Sequence, residues 1–287
     1  MPELPEVQTV VTDLSKKITG KTIRTAEVLW PRTVSKPAVS DFSSDLEGAL
    51  IKNVSRRGKF IVIELEKRTT GKKKSLQPVA SSLFWLTHLR MTGQFHIPQG
   101  TKLPDTTHLR VRLVFTDGSH LLFTDPRKFA RMYLVSDLDQ VTGKLGPEPL
   151  EIGIEDFIAG LKRSRKRIKP LLLDQTFLSG IGNIYADESL HSALLHPLTP
   201  AHKVTKQKAT KLHAGIREVL KKGISLNGAS IDRFYKRING QSGGFQDEFT
   251  VYARTGQPCL RCGTLIRKTT VAQRGTHYCP SCQKPVR

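Results

Sequence analysis

Four cysteines, Cys259, Cys262, Cys279 and Cys282, are the only ones in the chain. Their spacing is C-x2-C-x16-C-x2-C, a strong signal for one zinc held by four thiolates. Tetrahedral zinc takes four soft donors at about 2.3 Å, and each C-x2-C pair offers two from one tight turn. With every position filled by protein the metal is structural. The intervening stretch is long enough for a hairpin, with Leu265, Ile266, Val271 and Ala272 as its apolar residues and Arg274-Gly275 expected at its tip. It also carries Arg267, Lys268, Arg274 and His277, so it reads either as a plain fold clip or as a basic hairpin able to enter a DNA groove.

At the other end stands Met1-Pro2-Glu3-Leu4-Pro5-Glu6. Removal of Met1 would make Pro2 a free secondary amine. Such an amine titrates near about pH 8, so a useful fraction is uncharged at neutral pH. Attack on a sugar carbon gives a cationic iminium, an electron sink that makes the neighbouring sugar protons acidic. Glu3 and Glu6 follow at once, and a carboxyl beside that centre can act as general acid. The same residues also make an ordinary capped helix start, since Pro5 and Glu6 suit a first helical turn.

Lys and Arg number 46 against 25 Asp and Glu, a net charge of +21. A polyanionic partner is the first explanation, and nucleic acid the leading one. The basic residues are spread along the chain, which argues against one membrane-surface helix. No apolar run approaches a bilayer span, and the acidic N-terminus is unlike a signal peptide. Cysteines confined to one metal cluster fit a reducing compartment, so a cytoplasmic, nucleoid-associated protein is expected.

These groups need a scaffold. Val7, Val10, Val11, Leu14 and Ile18 recur at helical spacing, predicting a helix over 5–19 closed by Gly20. From about 22 to 136 the pattern has period two, as in Phe60-Ile61-Val62-Ile63 and Leu109, Val111, Leu113, Phe115, with a hairpin at Asp117-Gly118. Many short strands without interleaved helices predict a sandwich or barrel. Lys67–Ser82 reads as an exposed loop. After the linker Gly146-Pro147-Glu148-Pro149, helices are expected over 154–162, 168–178, 183–194 and 205–222, with a Gly-rich loop over 227–246. The predicted division is 1–146, 147–238 and 245–287.

Several segments together resemble the formamidopyrimidine-DNA glycosylase family, the bacterial 8-oxoguanine glycosylases. Met-Pro-Glu-Leu-Pro-Glu-Val opens the chain as it opens that family. Arg56-Arg57-Gly58-Lys59-Phe60 is similar to its catalytic-lysine segment, and His88–Gly93 and Asp125–Phe129 to its two DNA-wedge loops. Gly180–Glu188 is similar to the helix–two-turn–helix element, and Arg274–Gln283 to the zinc hairpin. The segments run in family order over nearly the whole chain.

The resemblance implies an α+β fold: an N-terminal β-sandwich with flanking helices, and a C-terminal helix–two-turn–helix domain ending in a four-cysteine zinc hairpin. It implies double-stranded DNA with oxidised bases or abasic sites as partner, a monomer, and no cofactor beyond one zinc. A base inside the stack is out of reach, so the nucleotide is flipped out. Met91, Arg127 and Phe129 then match the residues that fill the gap. Pro2 is the implied nucleophile, Glu3 and Glu6 its acidic neighbours, and Lys59 and Arg274 the groups on the flanking phosphates and in the proton transfers of elimination. Asn183, opening a helix, offers a phosphate site of free amides. Lys169, with Lys162, Arg163, Arg165, Lys166 and Arg167, is expected to track the DNA backbone, and residues 227–246 to cover the lesion.

Three features depart from the family pattern. Lys67–Ser82 is long, Thr106 stands where a DNA-contacting His is usual, and Ala130 replaces a common Gly. Two alternatives stand beside the main reading. The endonuclease VIII branch uses the same proline amine on oxidised pyrimidines, but Leu4 stands where that branch usually has Gly. A non-catalytic DNA-binding zinc protein would not need Pro2, Glu3 and Lys59 intact.

Overall fold

The apolar stripe read between Val7 and Ile18 forms helix α1 (Leu4–Ile18). In the computed structural model, which describes residues 1–68, 80–98, 107–231 and 235–285, the chain forms two compact units. The first comprises Met1–Pro2, Glu6–Lys144 and Ala229–Gly243; the second comprises Glu3–Pro5, Leu145–Gly228 and Gly244–Arg287.

The first unit is a β-sandwich. Its strands are β1 (Ile23–Val28), β2 (Val34–Lys36), β3 (Leu50–Arg57), β4 (Phe60–Arg68), β5 (Ala80–His88), β6 (Gln94–His96), β7 (Leu109–Phe115), β8 (His120–Thr124) and β9 (Arg131–Val135). One sheet runs β1-β7-β8-β6 and the other β2-β9-β5-β4-β3. All pairs are antiparallel except β2 with β9. Period-two patterning sends Ile61, Ile63 and Leu65 into one core with Trp85, Phe95, Phe115 and Phe123, and with the stripe of α1. Val62, Leu86 and Val135, on the opposite face, pack under Tyr133, Leu138 and Val141. Truncating a buried aromatic such as Trp85 to Ala would cost about 3–5 kcal/mol.

Three expectations change here. Helix α2 (Val39–Leu46) lies within the stretch read as strands only. Its apolar signal is three residues, Val39, Phe42 and Leu46, too short a run to register as a period. Phe42 nonetheless packs edge-on to Trp85 at 6.1 Å. The expected loop over Lys67–Ser82 is shorter than read, because β4 runs on to Arg68 and β5 begins at Ala80. Residues 69–79 and Thr106 lie outside the described residues. Finally, 229–243 packs with the sandwich, where Tyr235 and Ile238 enter the core, instead of with the helices preceding it. A short helix, α3 (Asp139–Thr142), completes this unit.

The second unit contains α4 (Ile154–Arg163), α5 (Ile168–Leu173), α6 (Asn183–Ser192), α7 (Lys206–Ser225), β10 (Arg267–Val271) and β11 (Arg274–Tyr278). Thr205 caps α7, its side chain accepting from the Lys208 amide at 3.3 Å. Helix α5 ends five residues before the expected 178. Asp174 turns its carboxylate onto the Thr176 amide (3.0 Å) and hydroxyl (2.7 Å), a local alternative to another helical turn. The hairpin tip is Ala272-Gln273, both at positive φ (48° and 60°) as a type I′ turn requires. Arg274-Gly275 therefore opens the returning strand and is not the tip. Among the described residues no helix is long and apolar enough to cross a membrane.

Candidate active site and nucleic-acid interface

Helix α6 organises the site in the second unit. Its first residues follow Gly182, whose backbone is extended. Glu3 is buried against this helix end. Its Oε1 accepts from the Ile184 amide at 3.0 Å and its Oε2 from the Tyr185 amide at 3.3 Å. The Leu4 amide donates to the Gly180 carbonyl at 3.0 Å, fixing the approach. A helix N-terminus favours a negative group, and here the protein supplies its own. Two of the free amides expected for a phosphate, those of Ile184 and Tyr185, are thus taken by Glu3.

One face of α6 also holds the strand that carries Arg274. Asn183 Nδ2 donates to the Gly275 carbonyl at 2.9 Å, and Asp187 Oδ2 accepts from the His277 amide at 2.8 Å. From α5, fully buried Lys169 donates to the Gly275 carbonyl at 3.1 Å and to Thr276 Oγ1 at 2.8 Å. Its Nζ lies 2.6 Å from Asp187 Oδ1. Burial lowers the Lys169 pKa; Asp187 and Glu3 oppose that shift, and Arg274 adds to it. An ammonium whose three protons face these partners does not track a DNA backbone, so that expectation is corrected: Lys169 positions β11. Arg274 itself is exposed beside this anchored backbone.

In the first unit, Lys59 occupies a two-residue turn between β3 and β4, with Arg57 opposite Phe60. Gly58 takes φ +56° at the first turn position, where a type II′ turn needs glycine. Lys59 is 7% exposed. Pro2 is buried and follows an exposed Met1. Glu6, also buried, accepts from the Ala229 amide at 2.8 Å, and its carbonyl accepts from Tyr235 Oη at 3.4 Å. Burial first, and then the Glu6 charge, push the Tyr235 phenol pKa up. Arg237 clasps Asp13 with two bonds of 3.0 and 2.8 Å. Glu6 therefore anchors the segment after Gly228 to α1.

The three expected wedge residues meet on the first unit. Arg127 Nη1 lies 3.2 Å from Met91 Sδ, and its guanidinium carbon is 4.8 Å from the Phe129 ring centre. Met91 and Phe129 are 38% and 46% exposed, so both side chains are open to a partner. Buried Asp125 ties the two loops together: Thr92 Oγ1 donates to Oδ1 and the Ala130 amide to Oδ2 (2.8 Å). Arg90 and Lys128 both take positive φ. The Arg90 amide donates to His88 Nδ1 at 3.0 Å. The His88 pKa falls to about 3, through burial first and then the charges of Arg90 and Lys59, so the ring stays neutral and able to accept.

The four cysteine sulfurs lie within 4.8 Å of one another. Tetrahedral bonds of about 2.3 Å require sulfurs roughly 3.8 Å apart, so the cluster fits one structural zinc. The Cys279 amide donates to Gln283 Oε1 at 2.8 Å, and Gln283 Nε2 donates to the Leu195 carbonyl at 2.8 Å, tying the module to the segment after α6.

Sequence reasoning missed Asp125, Thr276, Asp187 and Glu188. The last two had a signal: adjacent acids inside the apolar run of α6 need buried partners.

The sequence matches the N-terminal domain of formamidopyrimidine-DNA glycosylase over residues 1–132, its H2TH domain over 145–235, and the zinc finger found in FPG and IleRS over 256–285. It is 42% identical over 290 residues to a formamidopyrimidine-DNA glycosylase of Protochlamydia amoebophila, covering 99% of this chain and 100% of the relative. The Enterococcus faecalis protein of that name is 42% identical, with 99% and 98% covered. Among solved structures, Lactococcus lactis Fpg with abasic-site DNA superposes with TM-score 0.84 at 36% identity, over 98% of this chain and 99% of that one. MutM with DNA containing carbocyclic 8-oxo-G gives 0.85 at 36%, over 99% and 100%. The chain belongs to the formamidopyrimidine-DNA glycosylase family.

Proposed function

We propose that this protein is a bifunctional DNA glycosylase and AP lyase of base excision repair, excising oxidised purines such as 8-oxoguanine and formamidopyrimidines. The observation that carries this is the buried Glu3 carboxylate, held by two α6 amides one residue after Pro2. With Met1 removed, the Pro2 amine attacks C1′ of the flipped nucleotide. The Glu3 carboxylate takes the hydrogen that the attacking amine sheds and passes it to the opening sugar oxygen, and the base departs. The resulting iminium draws electrons from the sugar, so the 3′ and then the 5′ phosphate eliminate. Glu6 holds α1 in place behind Pro2. Lys59 and Arg274 grip the phosphates flanking the lesion and serve the proton transfers. Met91, Arg127 and Phe129 fill the emptied stack, with Arg127 on the orphaned base. Asn183 contributes to the phosphate site through its amide side chain.

For this activity the functional division is a catalytic sandwich over 1–146, a helical DNA-binding part over 147–238, of which 229–238 packs with the sandwich, and a zinc hairpin over 245–287. Residues 227–246 form the lesion cover. Its neck is closed by the Gly244 amide on the Leu226 carbonyl (2.8 Å) and the Phe245 amide on the Gly228 carbonyl (3.0 Å); residues 232–234 within it lie outside the described residues. The protein works as a monomer in the cytoplasm, at the nucleoid.

Borohydride trapping on duplex DNA containing 8-oxoguanine tests the central step. A covalent adduct is expected with the mature amine, and some adduct with Pro2→Gly, which keeps an α-amine. Abundant adduct from protein still carrying Met1 would refute the amine mechanism. A panel of oxidised purines and pyrimidines separates the purine enzyme from an endonuclease VIII-like one.

A further inference from the structure

Asn183, Asp187 and His191 recur at four-residue intervals and so share one face of α6. The first two hold β11, as described. The third reaches the metal cluster: His191 Nε2 lies 3.4 Å from Cys259 Sγ. Both side chains are buried, Cys259 at 3% and His191 at 4% exposed, so water does not readily replace this contact. The other ring nitrogen, Nδ1, lies 2.9 Å from Thr250 Oγ1. Thr250 is itself fixed by Glu188, whose carboxylate accepts from the Thr250 hydroxyl (2.6 Å) and from the amides of Thr250 (2.9 Å), Val251 (3.0 Å) and Tyr252 (2.8 Å). The ring is thus aimed at the sulfur by Glu188 of α6, acting through Thr250 on the segment leading into the zinc module.

We propose that His191 is an outer-sphere residue of the zinc site, donating its Nε2 hydrogen to the Cys259 thiolate and thereby slowing loss of the metal. The inference rests on the four-cysteine zinc reading. A thiolate bound to a metal has no proton, so the hydrogen in this contact must come from the imidazole. The Thr250 hydroxyl gives its one hydrogen to Glu188, so Nδ1 must donate to Thr250 Oγ1 as well; the ring then carries hydrogens on both nitrogens, a cation set between Glu188, through Thr250, and the anionic four-thiolate cluster. Four thiolates place excess negative charge on one cation, and a donor to one of them withdraws part of it. Partners of this kind orient metal ligands, and removing one typically costs about 10–100-fold in metal affinity. His191 touches neither Glu3 nor the Arg274 strand, so its role is separable from catalysis.

The test compares wild type, His191→Phe and His191→Gln, each first assayed for bound zinc. Zinc release to a chromogenic chelator in excess is then followed over time. Release from His191→Phe is expected to be at least about ten-fold faster than from wild type. His191→Gln, whose amide can still donate to sulfur, is expected to recover most of that difference; a merely space-filling role would not separate the two variants. Equal release from wild type and His191→Phe overturns the proposal alone. A wild-type protein that binds no zinc overturns it together with the metal reading. Should His191→Phe not fold, long-range proton–nitrogen NMR of the wild-type ring decides. A protonated Nε2 in the zinc-loaded protein is expected, and a bare Nε2 there overturns the proposal.

Discussion

A β-carbon placed on Gly182 would lie 2.2 Å from the carboxyl carbon of Glu3. The residue before α6 is therefore glycine because of what approaches it, since its extended φ of −129° suits any residue. Gly182→Ala is expected to push the Glu3 carboxylate off the Ile184 and Tyr185 amides while leaving zinc content unchanged. A shift of about 1 Å in such a group costs on the order of 100-fold in rate. Single-turnover release of 8-oxoguanine should fall by that order, while trapping on pre-formed abasic DNA should fall much less. An unchanged base-release rate would show that Glu3 needs no such placement.

The buried Lys169–Asp187 pair gives a second prediction. Removing one partner strands a buried charge, at a cost of about 3–5 kcal/mol. Lys169→Met should lose stability of that order in denaturant melts of zinc-loaded protein, and Lys169→Met combined with Asp187→Leu should lose less. A lysine on a phosphate would behave otherwise: its loss lowers the salt slope of DNA binding by about one. The double variant is expected to keep the wild-type slope. A drop of about one would place Lys169 on the DNA after all.

Acid sensitivity follows from His88. Its folded pKa of about 3 lies below the ordinary 6.5. Between those values the unfolded chain binds more protons than the folded one, so stability rises with pH across that window. The contribution is complete above about 6.5 and is lost as pH falls toward about 3. By pH 5 the loss should reach about 1–2 kcal/mol. His88→Asn keeps an acceptor for the Arg90 amide but does not titrate. The difference in unfolding free energy between the two proteins should therefore change over this window. A constant difference would mean that His88 does not enter the folded state neutral.

Arg127 bridges Met91 and Phe129 before any DNA is present. Arg127→Ala should narrow discrimination between opposite bases by about 1–3 kcal/mol, the usual worth of a directed base contact. The folded state should lose little, because the guanidinium is exposed. Measuring excision opposite each of the four bases checks this, and unaltered ratios would remove Arg127 from partner-base reading.

Much of this protein can be read from its sequence. The cysteine spacing, the stripe of α1 and the alternation in β4 and β7 follow from local periodicity and metal geometry, which nearby residues impose on each other. The N-terminal peptide, the wedge segments and Lys59 were legible because their types and order together are rare. Tertiary structure alone decided what depends on residues far apart in the chain. It put Glu3 on amides some 180 residues later, making a capping group of the expected acid and taking two of the free amides beside Asn183. It buried Lys169 on the backbone of Gly275, turning an expected DNA contact into a support. It set the hairpin tip at Ala272-Gln273, where register and not composition chooses the turn. Local sequence limits which conformations and donors are available; which donor meets which acceptor depends on long-range packing.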